Sequence, residues 1–245
     1  MVCARARIER MALQNTLIAS NLAEIRERIA RSAARAGRAT EDITLVAVSK
    51  TFSSEAIRSA YELGLRHFGE NRVQEWESKQ AAVADLDATW HLIGHLQSNK
   101  ARRAANLFNR VDSVDSVALA QKLDAAAASE TKRLKVLIEV HLGGEETKSG
   151  IPEADLPSLA ESIAQLPHLE LVGLMAIPPY FDDTERVRPY FQRLRALRDE
   201  VGAQIKMPLS VLSMGMSHDF EIAIEEGATE VRVGTALFGE RTKKA

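Results

Sequence analysis

Cysteine is almost missing from this chain of 245 residues, Cys3 being the only one. An internal disulfide is therefore impossible and a cysteine-based zinc site is excluded, which fits a reducing, cytoplasmic setting. Long hydrophobic runs are missing too. No stretch approaches the roughly 18 apolar residues that a membrane-spanning helix needs, and the N-terminus lacks the apolar segment of a signal peptide. Neither a membrane association nor export by signal is expected. Nor does charge of one sign dominate: 32 Lys and Arg against 34 Asp and Glu leave a formal net charge of −2. That balance offers no general attraction to nucleic acid or to anionic lipid. The short basic clusters at 100–103 and 132–135 lack interleaved aromatics and read as solvated surface. Linkers, low-complexity tracts and internal repeats are also lacking, so a chain that is 45 % hydrophobic and 27 % charged reads as one globular domain. That domain is expected over 15–245. Residues 1–14, with Arg5, Arg7, Arg10 and a second methionine at Met11, are expected to be a frayed or disordered lead.

What the chain does have is a regular alternation of short apolar runs and amphipathic segments. A first helix is expected over about 16–36, where Leu22, Ile25, Ile29 and Ala33 form one stripe and Gly37 supplies a stop. Strands are predicted at 43–48, 66–68, 90–93, 110–114, 134–140, 170–174, 209–212 and 230–233. The segments between them (54–63, 71–84, 97–107, 116–130, 152–166, 183–202 and 217–227) are rich in helix formers. Strict alternation implies a parallel sheet. Eight units in about 200 residues match a single (β/α)8 TIM barrel with an extra N-terminal helix better than an open doubly wound sheet. Polar and glycine-rich residues follow strand after strand, as in Ser49-Lys50-Thr51, Gly69-Glu70-Asn71-Arg72 and Gly94-His95-Leu96-Gln97, whereas the opposite loops are plainer. In α/β folds that is the end where chemistry is done.

Lys50 closes the apolar run 43–49. An ammonium there is costly unless paired, solvated or neutral, and a neutral amine forms Schiff bases with aldehydes. From this segment alone, a lysine snorkelling to the rim is an equal reading. The balance shifts with two distant segments. Ser217, two residues past Gly215, is read as opening a helix whose first N–H groups hold an anion, and Gly234-Thr235 repeats the arrangement after the last strand. Barrels often bind phosphate between the loops after their seventh and eighth strands. Asp219 and Glu221 count slightly against an anion there. A Schiff-base lysine on the first strand beside such a cup describes a site for pyridoxal 5′-phosphate (PLP). Arg232 would then face the pyridine nitrogen and make the ring a poor electron sink, the alternative being a salt bridge inside the barrel, for example to Glu70. Asn71 is placed near the cofactor, and Met175 and Met216 are read as packing groups. Period-two alternation sets Trp90, Leu92 and Gly94 on one face of the third strand and His91, Ile93 and His95 on the other. His91 and His95 are four residues apart but flank a predicted strand, where a packed or rim histidine is the expected reading, and no carboxylate cluster with metal-ligand spacing accompanies them, so no metal is expected.

Taken together, the segments VAVSKT, HFGENRVQE, WHLIGHLQSNK, SVDS, GEETKSG, GLMAI, LSMGMSHDFE and VRVGTALFGER, from about residue 17 to 241, resemble the pyridoxal phosphate homeostasis family. The resemblance implies a single barrel similar to the N-terminal domain of alanine racemase, with PLP as a covalent aldimine on Lys50. It further implies Ser217, Gly234 and Thr235 at the phosphate, Arg232 at the pyridine nitrogen and Asn71 near the ring. It also implies intracellular carriage and buffering of PLP, with apo PLP-enzymes as candidate acceptors and no established catalytic reaction. The exposed mouth of such a barrel is read as fitting a monomer or weak dimer. One departure is His141, where the family usually has asparagine. Two alternatives stand beside this. A PLP-dependent amino-acid racemase would need an opposing acid/base that only Tyr180 is placed to supply, and a cofactor-free Schiff-base aldolase would use the same lysine. Lys100 and Lys148 are read either as a second aldehyde site or as charge attracting phosphate.

Overall fold

The structure, a computed structural model, describes residues 2–143 and 149–240, with side chains from Leu13 onward. Lys148 and the Gly144 to Glu146 part of its loop lie outside the described residues. The strands are β1 (Thr44–Val48), β2 (His67–Glu70), β3 (Thr89–Leu92), β4 (Arg110–Val114), β5 (Leu134–His141), β6 (Ile151–Pro152), β7 (Leu169–Met175), β8 (Val211–Met216) and β9 (Glu230–Val233). All pair in parallel, and β4–β5 together with β1–β9 contacts close eight of them into a barrel, with the two-residue β6 attached to the end of β5. The expected eight-stranded barrel is therefore the observed one.

The helices are α1 (Val2–Arg35), α2 (Ser54–Glu62), α3 (Val73–Lys79), α4 (Ala101–Leu107), α5 (Val117–Ser129), α6 (Leu156–Ala164), α7 (Arg188–Ile205), α8 (Phe220–Glu225) and α9 (Thr235–Phe238). Local chemistry sets several starts. Ser53 and Ser116 cap α2 and α5 through hydroxyls that accept from Ala56 and Leu119 N–H groups, and proline stands in the first turns of α6 and α7. α1 begins well before the Thr16 start expected from its stripe. Its buried residues Ile18, Leu22, Ile25, Ile29 and Ala33 join the core, and it is tied to the end of the chain by Asn21 donating to Leu237 O and by Arg28 pairing with Glu221 at 2.8 Å. None of the described helices is long and apolar enough to cross a membrane.

Alternation along the strands produces two separate interiors. Ala47, Phe68, Trp90, Leu92, Val111, Val136 and Ile138 belong to the layer between strands and helices. Trp90 there stacks on Phe68 and lies 4.0 Å from Trp76. The alternate residues face the barrel axis, where Val46, Val48, Ile93, Leu137 and Met175 are buried alongside charged groups. Lys50 continues the axial series of Val46 and Val48 into the mouth of the barrel.

Candidate functional site

The mouth is built from the ends of β8, β9, β1, β2 and β3, which are neighbours in that order. Lys50 follows β1, is half-buried, and donates a long hydrogen bond of 3.4 Å to Asn71 Oδ1, which follows β2. Gly94 permits that position of Asn71, since a Cβ on it would stand 2.3 Å from Asn71 O and 2.7 Å from the Asn71 side chain. The Lys50 loop is held from outside the barrel. Lys79 Nζ on α3 donates to Ser49 O at 3.0 Å, to Glu70 Oε1 at 3.1 Å and to Glu75 Oε1 at 2.6 Å, while Ser49 Oγ donates to Glu70. Burial pushes Glu70 above its ordinary range, against the pull of Lys79. Thr51, at φ 70°, is a β-branched residue in the left-handed region, and its N–H donates to Glu75. A threonine is held there only where its surroundings over-determine it.

On the other side of Lys50, Ser217 and Gly234 meet. Ser217 Oγ accepts from the N–H groups of Gly234 and Ala236, each at 3.3 Å. Ser217 does not open α8, as its sequence position suggested. β8 runs on through Gly215 to Met216 with a register shift against β9, a turn covers 217–219, and Asp219 is the residue before the helix. That bulge carries Ser217 across to the start of α9. Gly234 also lies close to β1, where a Cβ would come 3.3 Å from Val48 Cβ. Thr235 is exposed at the same rim. The acids that weighed against an anion are engaged elsewhere: Asp219 accepts from Met216 N–H at 2.6 Å, and Glu221 pairs with Arg28.

Arg232 is buried beneath the cup, donating to Ser213 Oγ at 2.7 Å and to Ala176 O at 2.9 Å. The alternative of a bond to Glu70 is not what the structure holds, because Glu70 points outward to Lys79. Burial lowers the Arg232 pKa, with Glu230, Asp112, Glu139 and Asp219 opposing the shift. Deeper in the barrel, Arg110 bridges Asp112 at 2.6 Å and Glu230 at 2.6 Å, and Glu230 accepts from Ser213. Burial alone would raise Asp112, but Arg110 holds it well below the usual carboxylate range. His67 and His91 are joined at 3.0 Å, and burial followed by His91 lowers His67. His91, Asp112 and Glu230 bring possible ligand atoms within 4.8 Å of one another, a cluster that sequence spacing did not reveal. The Arg110 guanidinium already supplies the cation between its two carboxylates.

Sequence reasoning missed this charged axis and also Glu139 on β5. Glu139 is 4 % exposed, its Oε2 has no hydrogen-bond partner among the described residues, and burial pushes it up to about 7. A signal was present. In a barrel strand, polar residues at i and i+2, as in Arg110/Asp112, Glu230/Arg232 and Glu139/His141, mark the axial face.

Residues 20–242 match the family model for the alanine racemase N-terminal domain. A pyridoxal phosphate homeostasis protein of Aquifex aeolicus is 48 % identical over 220 residues, covering 90 % of this chain and 96 % of that protein. The solved structure of PipY from Synechococcus elongatus with PLP bound is 42 % identical, with a TM-score of 0.81 over 91 % of this chain and 100 % of that one. An alanine racemase of Clostridium difficile shares the fold at a TM-score of 0.73 and 15 % identity, over 92 % of this chain and 57 % of the racemase.

Proposed function

The chain belongs to the pyridoxal phosphate homeostasis proteins, built on the barrel of the alanine racemase N-terminal domain, and on that premise we propose that it carries PLP at its barrel mouth, covalently on Lys50. The observation that carries the reading is the placement of a half-buried amine on β1 beside the paired Ser217 and Gly234 of β8 and β9. The residues fit the group. Bound PLP supplies an aldehyde that condenses with a primary amine, with loss of water, and a phosphate that requires donors.

Lys50 is the amine, and Asn71 Oδ1 orients it. The hydroxyls of Ser217 and Thr235 and the N–H groups of Gly234 and Ala236 are the phosphate donors, the two N–H groups being already turned toward a single oxygen in the bond to Ser217. Arg232 is the pyridine-side group. A guanidinium carries no lone pair to accept a ring proton and disfavours a second positive charge beside it, which suits carriage better than carbanion chemistry. Tyr180, the tyrosine a racemase would need, is 72 % exposed and stacked on His218. PLP is accordingly held for release to amines or apo-enzymes inside the cell, by a monomer or weak dimer.

The test is retention of PLP. Apo protein mixed with PLP and passed through gel filtration is expected to keep a visible absorption band. Lys50→Ala is expected to lose it while its far-UV circular dichroism is unchanged. A colourless wild-type protein would defeat the reading and return Lys50 to aldolase-type chemistry.

A further inference from the structure

The loops after β2 and β3 enclose a cavity of about 520 Å³ that shares Asn71 with the Lys50 site. Its polar lining comes from Asn71, Arg72, Gln74, His95, Gln97 and Lys100, and no acidic residue is among its described lining. Neither Arg72 nor Lys100 makes a side-chain hydrogen bond or salt bridge among the described residues. His95 is held by Asp115 at 3.2 Å. Arg72 lies within electrostatic reach of Glu75, but that carboxylate is already held by Lys79 and by Thr51 N–H. Two cations in no ion pair among the described residues, flanked by amide donors in a concave site of ligand size, favour a small anion. The order of the strands gives this pocket a direction. Around the rim, the Ser217–Gly234 cup lies on one side of β1, and β2 and β3 with the cationic pocket lie on the other, so Lys50 stands between them.

We propose that this pocket binds the carboxylate of a small amino acid whose amino group lies at Lys50. The proposal rests on the PLP reading above and deepens it by naming the class of acceptor. An amine approaching Lys50 from the β2 side would leave its carboxylate among Arg72, Gln97 and Lys100. Uncharged amines would lack that anchor.

The probe is glutarate, a dicarboxylate with no amine, titrated into the 15N-labelled full-length protein while the side-chain amides of Asn71, Gln74 and Gln97 are followed by NMR. Saturable shifts of these amides are expected in wild type and in Lys50→Ala. In the double variant Arg72→Gln with Lys100→Gln, affinity is expected to fall at least tenfold, while gel-filtration retention of PLP stays as in wild type. Absence of saturable shifts, or equal affinity in the double variant, would overturn the proposal. So would inorganic phosphate binding more tightly than glutarate at the same amides, since that would make the pocket a phosphate site. PLP retention in the same samples reports separately on the function itself: a wild-type protein that binds PLP but not glutarate loses only the subsite.

Discussion

At Glu139 the barrel axis carries a carboxyl whose Oε2 has no partner among the described residues and whose pKa is pushed up to about 7 because burial penalises the charge. The consequence for stability has a definite sign. Between the ordinary glutamate range and about 7, the folded protein keeps a proton that the unfolded chain has lost. Stability therefore falls as pH rises through that window and stays lower above it. Glu139→Gln is expected to remove this slope and to stabilise the protein at pH 8 by about 1–3 kcal/mol, read from denaturant unfolding at pH 5 and pH 8. An unchanged slope would mean that Glu139 is already ionised in the fold. The contrast with Lys50 shows what a sequence discloses at this scale. A lysine ending an apolar strand is conspicuous, whereas Glu139 sits among Leu137, Ile138 and Val140, and only its axial direction makes it exceptional.

At the scale of elements, α3 acts as a brace for the loop that presents Lys50. Lys79 is the cation for Glu70, whose side chain is fully buried, and it also holds Ser49 O. Lys79→Met is expected to destabilise the protein by roughly 3–5 kcal/mol at pH 8, because it leaves a buried carboxylate uncompensated. The loss should shrink toward pH 5, since a protonated Glu70 needs no counter-charge. Thermal unfolding at the two pH values checks it, and equal losses would contradict the brace. The strands and most helices were legible from periodicity because each buries one apolar face against the other layer. The end of β8 was not. A bulge at Gly215 extends that strand and moves the helix start from Ser217 to Phe220, and local propensity carries no record of a register shift set by β9. The meeting of Ser217 with Gly234 was reached through barrel geometry in spite of that error.

For the whole molecule, closure of the barrel is what turns scattered residues into one mouth and one axis. Strand count and alternation foretold the closure. They did not foretell that the axis would be charged, because Arg110, Asp112 and Glu230 come from segments 120 residues apart and meet only when the sheet closes. Arg110→Met would leave two buried carboxylates facing each other. A destabilisation of about 3–5 kcal/mol is expected, lowering the melting temperature by about 10 °C for a domain of this size. A change of only a degree or two in calorimetry would show that the axis does not depend on that cation. Position in the fold likewise defined Lys100: read along the chain it was part of a solvated basic cluster, with a second aldehyde site or phosphate-attracting charge as its possible roles, and in the structure it lines the pocket beside Asn71.

Borohydride reduction of the PLP-loaded full-length protein, followed by peptide mapping, tests the central claim most directly. The account predicts that reduction bleaches the visible band and leaves the pyridoxyl label on Lys50. A label on any other lysine, or none after loading with PLP, would contradict it.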